Sequence, residues 1–178
     1  MTVFISGGAK NGKSTLAQDL AVRLSGSKKR YYVATMLSSG PEDDERIRRH
    51  IADRAHLGFE TIECFRDILS IADLDGTFLV DSVTALIQNA LFPVEKHYEM
   101  DTAAVEKCVD DLVAFAASVQ NAVFVSDYIY SDAQHYDEGT ETYRKCLASV
   151  DRRLAASCDT VVEVAAGQYT VHKGALLL

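Results

Sequence analysis

A run of eight residues near the amino terminus restricts this chain more than any other feature in it. Gly7, Gly8, Ala9, Lys10, Asn11, Gly12, Lys13 and Ser14 match the pattern GxxxxGK[ST] without a departure. The run follows Val3, Phe4 and Ile5, a short apolar stretch that reads as a buried strand. Beyond it Leu16, Leu20, Ala21 and Leu24 recur at helical spacing. A strand that breaks into glycine and resumes as a helix turns several main-chain N–H groups toward one point, at the positive end of the helix dipole. That point suits a phosphate. Lys13 would reach the β and γ phosphates, and Ser14, followed by Thr15, would stand at the Mg²⁺ ion of a bound nucleotide.

The rest of the chain supplies the frame such a loop needs. Strands are expected at 31–34, 59–64, 77–80, 122–125, 161–164 and 169–172, the last two joined around Gly167. Helices are expected from Lys13 to about Leu24 with Gly26 as cap, from Pro41 to about Arg54, and over 66–72, 83–91, 102–119 and 141–157. Pro41 and the acidic run 42–45 suit the first turn of the second of these helices. Residues 93–101 and the tyrosine-rich 128–139 read as loops. Strands alternating with helices imply an α/β protein of three layers, a mainly parallel central sheet covered on both faces. A length of 178 residues fits a single domain over 1–178.

Composition narrows the partners. A net charge of −8 argues against sequence-independent nucleic-acid binding, which needs many Lys and Arg contacts to phosphate. The cysteines Cys64, Cys108, Cys146 and Cys158 are too far apart for a CxxC site, and reduced thiols in a cytoplasmic protein are the simplest account. No apolar stretch is long enough to span a membrane, and the first residues do not resemble a signal peptide.

Two further groups of residues bear on chemistry. The carboxylate partner of the Mg²⁺ ion usually ends an apolar strand. Asp81 after 78–80 and Asp127 after 123–126 both fit; Asp81 is the preferred metal ligand beside Ser14, and Asp127 the alternative. Arg46, His50 and Arg54 stand at i, i+4 and i+8, hence on one face of a helix. Cations there could hold a phosphate and the imidazole could attack it, although a histidine on a charged helix is ordinarily just solvated.

Taken in order, residues 5–14, 32–35, Arg46 to His50 with Arg54, 61–63, 78–84, 89–92 and 153–159 resemble the bifunctional adenosylcobinamide kinase / adenosylcobinamide-phosphate guanylyltransferase family of cobalamin assembly. The resemblance covers nearly the whole chain. It implies a RecA-like P-loop NTPase fold, a trimer, and two reactions. The first is phosphorylation of the aminopropanol hydroxyl of adenosylcobinamide by ATP or GTP. The second is transfer of GMP from GTP through a guanylylated histidine, whose place His50 takes. By the same resemblance Thr35, Arg46, Arg54, Glu63 and Asp81 join residues 7–15 in holding the nucleotide, with His50 and Lys13 catalytic. The chain departs from the family after the late strand. Where the family carries Asn-Glu-Val-Gly and Gly-Ile-Val-Pro, residues 126–135 read Ser-Asp-Tyr-Ile-Tyr-Ser-Asp-Ala-Gln-His, and Asp151-Arg152 replaces Asn-Gln. Two other readings therefore stand beside it: a P-loop kinase of another small alcohol, and a nucleotide-binding regulator without catalysis.

Overall fold

A computed structural model describes residues 1–38 and 40–176; within the second helix the side chains of Glu42, Asp43, Asp44, Arg46, Arg49, His50 and Asp53 lie outside the described ones. Strand β1 (Thr2–Gly7) leads through the glycine loop into α1 (Lys13–Ser25). Then come β2 (Arg30–Ala34), α2 (Pro41–Arg54), β3 (Glu60–Glu63), β4 (Thr77–Asp81) and α3 (Val83–Leu91). The chain continues through α4 (Thr102–Ser118), β5 (Asn121–Asp127), α5 (Glu138–Ser157), β6 (Thr160–Ala165) and β7 (Gln168–Lys173). The seven strands form one sheet in the order β3-β2-β4-β5-β1-β6-β7. All neighbours are parallel except β6 and β7, which close the edge as a hairpin.

Alternation along the strands sorts their side chains to two faces. Phe4, Tyr31, Val33, Phe78, Val80, Ala122 and Phe124 pack against α3, α4 and α5. Val3, Ile5, Tyr32, Leu79, Val123, Val125, Val162 and Val164 pack against α1. The first face is the thicker, with Phe115 of α4 set edge-on to both Phe78 and Phe124. The phosphate loop and Lys13 therefore belong to the thinner face, and α5 to the opposite one.

Local chemistry explains the helix starts. Asp101 caps α4 by accepting from the Ala104 N–H at 2.9 Å, and Asp137 caps α5 by accepting from the Thr140 N–H at 3.0 Å. That cap starts α5 at Glu138, three residues before the sequence expectation. The helix expected over 66–72 is only a 3₁₀ turn, Ile68–Ile71, because Asp67 at φ 46 breaks the backbone just before it. The remaining elements lie where hydrophobic spacing put them, to within a few residues. All four cysteines are free. Among the described residues, no helix is long and apolar enough to cross a membrane.

Candidate nucleotide-binding site

The C-terminal edge of the sheet, on the α1 face, gathers most of the expected residues. The glycine loop needs its glycines for two different reasons. A Cβ on Gly7 would stand 2.3 Å from the Val164 carbonyl oxygen of β6, so the sheet itself excludes any side chain there. Gly12 takes φ 92 as the residue capping α1, a conformation that side chains resist. Asn11 accepts from the Ala166 N–H at 3.2 Å and so ties the loop to the β6–β7 turn. Lys13 is buried. Its Nζ donates to the Gly8 carbonyl at 2.7 Å and to Asp127 Oδ1 at 2.6 Å. Ala9, Lys10, Ser14 and Thr15 complete the run, and Lys10 needs a positive φ of 59 to close the curl.

Asp127 is the last residue of β5, the strand directly beside β1, and pairs in register with Gly7. Asp81 ends β4, one strand further out. The two carboxylates offered by the sequence therefore have different surroundings. Asp127 serves Lys13, while Asp81 Oδ2 accepts from Tyr32 Oη at 3.0 Å and faces a cavity.

That cavity, of about 300 Å³, opens at the ends of β2, β3 and β4, and its walls include Tyr32, Thr35, Arg54, Glu63, Phe65 and Asp81. Arg54 is one of its walls. The guanidinium carbon stands 3.5 Å from the centroid of the Tyr32 ring, and Nη2 donates to Thr61 at 3.3 Å. Nη1 is buried with no partner among the described residues. Burial pulls the Arg54 pKa below its ordinary value, against the negative Tyr32–Asp81 pair, which pushes it back up. A buried cation with an unmet donor, beside two carboxylates, is a site made for a polar ligand. Thr35 lines the same space, but its hydroxyl is committed: it accepts from the Ser82 N–H at 2.7 Å and donates to the Ser82 carbonyl at 2.8 Å. Its contribution is to join the ends of β2 and β4. The helical spacing of Arg46, His50 and Arg54 is kept, since α2 runs unbroken through all three. Only Arg54 has a described side chain, and it is buried rather than presented on a solvated face; those of Arg46 and His50 lie outside the described residues.

Behind the cradle, on the opposite face, is a network that the sequence marked only as a set of departures. Asp151 of α5 is 4% exposed and accepts from Ser126 Oγ and from Tyr130 Oη, each at 2.7 Å. Burial pushes its carboxyl up to about 6; the hydroxyls around it pull the other way, and the charge of Asp127 adds to the rise. Arg144, also buried, donates to the carbonyls of Tyr130, Asp132 and Gln134 and pairs with Asp132 and Glu141. Glu163 of β6 accepts from Tyr128 Oη at 3.2 Å. The tyrosine-rich loop is thus fastened at 128, 130, 132 and 134. No spacing rule would have joined Ser126 to Asp151, because the contact arises only when α5 packs against the sheet.

The three layers, the strand–loop–helix and the buried lysine define a protein of the P-loop NTPase class. Solved structures agree on the fold. Flagellar accessory protein FlaH from Methanocaldococcus jannaschii is 18% identical with a TM-score of 0.51, over 97% of this chain and 78% of that one. A protein from Pyrococcus horikoshii OT3 is 12% identical with a TM-score of 0.55, over 97% and 86%. A prototypical ATPase from the type III secretion system of pathogenic bacteria is 14% identical with a TM-score of 0.53, over 92% of this chain and 51% of its own. Within that class, residues 3–171 match the model of the cobinamide kinase / cobinamide phosphate guanyltransferase family, and the chain belongs to that family. No match was found among curated protein sequences.

Proposed function

We propose that this chain phosphorylates adenosylcobinamide with ATP or GTP and then transfers GMP from GTP to the product through a guanylyl-histidine at His50. Membership of the family supports the kinase and guanyltransferase role in cobalamin biosynthesis. The observation that carries the reading is a pairing on one sheet face: the Lys13-bearing cradle beside a cavity holding Arg54, Glu63 and Asp81. Main-chain amides read phosphate and do not read a base. The cavity offers what the cradle lacks, carboxylates that can accept from the N–H groups of a base and a guanidinium that can donate to a carbonyl.

In the first reaction the substrate hydroxyl oxygen attacks the γ phosphorus, the bond to the β-phosphate oxygen breaks, the diphosphate leaves and the hydroxyl proton is released. Lys13 holds the developing charge on the phosphates. In the second, an imidazole nitrogen of His50 attacks the α phosphorus of GTP and pyrophosphate leaves. The phosphate oxygen of the substrate then attacks the same phosphorus, the P–N bond breaks, and the imidazole is restored. Arg46 and Arg54 are the cations assigned to the nucleotide around this step. Mg²⁺ suits the oxygen donors at hand, the Ser14 hydroxyl and Asp81, while Asp127 is engaged by Lys13. When bound it would screen phosphate charge. The protein is read as one nucleotide-binding unit over 1–178, cytoplasmic and homo-oligomeric, a trimer by family likeness.

Incubation with GTP labelled at the α phosphate, with Mg²⁺, tests the second half. An acid-labile, base-stable protein adduct, absent in His50→Ala, is the expected result. Folded, nucleotide-binding protein that yields no adduct removes the guanylyltransferase. A second reading, a P-loop kinase of another small alcohol, draws on the loop 128–137, which is tyrosine-rich and fastened where the family has glycines. It expects acceptor-dependent diphosphate release without an adduct, and it fails if adenosylcobinamide is the best acceptor among those tried.

A further inference from the structure

We propose that Asp151 is a positioning residue for the phosphate cradle, acting through Ser126 and Tyr130 to hold Asp127 on Lys13. The inference rests on the reading of residues 7–14 as a phosphate site and not on corrinoid chemistry.

The geometry follows from strand alternation. Ser126 and Asp127 are the last two residues of β5, so their side chains leave opposite faces of the sheet. Asp127 emerges on the α1 face and takes Lys13 at 2.6 Å. Ser126 emerges on the α5 face and donates to Asp151 at 2.7 Å. The next turn of chain returns to the same carboxylate, since Tyr130 Oη donates to it at 2.7 Å. Asp151 therefore grips the backbone on both sides of Asp127. Two more main-chain contacts lie in the same grip: the Asp127 N–H donates to Thr84 Oγ1 at 2.9 Å, and the Tyr128 N–H donates to the Gly7 carbonyl at 3.3 Å. Arg144 anchors the same loop at the Tyr130 carbonyl. A carboxylate held this firmly on Lys13 competes with phosphate oxygens for the same ammonium. Loosening the grip frees the lysine and tightens nucleotide binding. Loss of an ordinary structural contact would instead weaken binding or lower the binding-competent fraction.

The test is calorimetric titration of the full chain with ADP in the presence of a metal chelator, so that only protein groups and phosphate compete. Asp127→Asn, which removes the competitor, is expected to tighten ADP binding about tenfold. Tyr130→Phe removes no charge, and is expected to tighten it about threefold at unchanged stoichiometry. Asp151→Asn, which can still meet both hydroxyls, stays closer to the wild type than Asp151→Ala. In the Asp127→Asn background Tyr130→Phe has no further effect, because its target is gone. The proposal is overturned if Tyr130→Phe leaves affinity unchanged or weakens it. It is equally overturned if the Tyr130→Phe shift persists without Asp127, or if the Asn and Ala variants of Asp151 are alike. Wild-type protein that fails to bind ADP at all would overturn the phosphate-site reading together with this one.

Discussion

The cradle and the cavity lie on one sheet face, and they are built in opposite ways. The cradle is contiguous chain: residues 7–14, whose main chain is proposed to meet phosphate, plus one carboxylate from the adjacent strand. The cavity is assembled from side chains spread over 32–85, on the ends of three strands and one helix. In the cradle one cation meets one anion. In the cavity the Arg54 guanidinium, with no partner for Nη1 among the described residues, shares the walls with Glu63 and Asp81. A site made of main chain tolerates many nucleotides, whereas one made of placed side chains can select among them.

Substitutions can break or sharpen that contrast. The largest effect is expected from Lys13→Ala, which should lower nucleotide-dependent turnover by about 10²–10³-fold through loss of charge stabilisation in the transition state. Steady-state rates with ATP and GTP check this, and both nucleotides should suffer alike. Behind the cradle, Asp151 makes a pH-dependent contribution of opposite sign to the usual carboxylate. Its folded pKa of about 6 lies above the ordinary aspartate value of 3.8. Native protein therefore holds a proton that unfolded chain releases, and stability falls as pH rises from about 4 to about 6, by on the order of 3 kcal/mol. Asp151→Asn should abolish that fall, as urea midpoints across the range will show; an unchanged slope would reassign the titration.

Gly7→Ala comes next. Its methyl would press on the Val164 carbonyl, with a loss of about 1–3 kcal/mol in denaturant unfolding and no dependence on ligand. Arg54→Ala should do the reverse, moving unfolding by less than about 1 kcal/mol, because removing a buried donor with no partner among the described residues offsets the lost stacking on Tyr32 and the bond to Thr61. Its effect should fall on selection, with the ratio of GTP to ATP affinity changing by about tenfold. Equal losses for both nucleotides would assign Arg54 to phosphate instead. Last, Tyr32→Phe removes the hydroxyl that donates to Asp81 and should cost about 1 kcal/mol in unfolding.

How much of this was legible in the sequence follows the same division. The cradle could be read from eight adjacent letters because its physics is local: glycine freedom, a helix start, a lysine at fixed offset. Strand order could not be read: the sequence prefers Asp81 and keeps Asp127 as the alternative, but it could not show that β5, and not β4, lies beside β1 and brings Asp127 to Lys13. Arg54 was marked by helical spacing and family likeness, which reveal nothing of its burial over Tyr32. The Ser126–Tyr130–Asp151 network looked like a set of lapses from the family pattern. It is a hydrogen-bonded cluster whose hydroxyls are 21 and 25 residues from Asp151 and meet it only when α5 docks. The error at 66–72 has the same root, since apolar spacing could not show that Asp67 turns the backbone the wrong way.

The outermost strand has a reach beyond its own ladder. Lys173, at the end of β7, donates to the carbonyls of Ala155, Ala156 and Cys158, the groups that α5 leaves unmet where it stops. The chain's closing hairpin is in this sense the bolt on a helix whose Asp151 reaches Ser126 at the end of β5. A protein shortened ahead of position 173 would keep every letter of the phosphate loop, yet the helix beneath it would fray from its distal end. Damage at the tail would then be felt as altered grip on nucleotide.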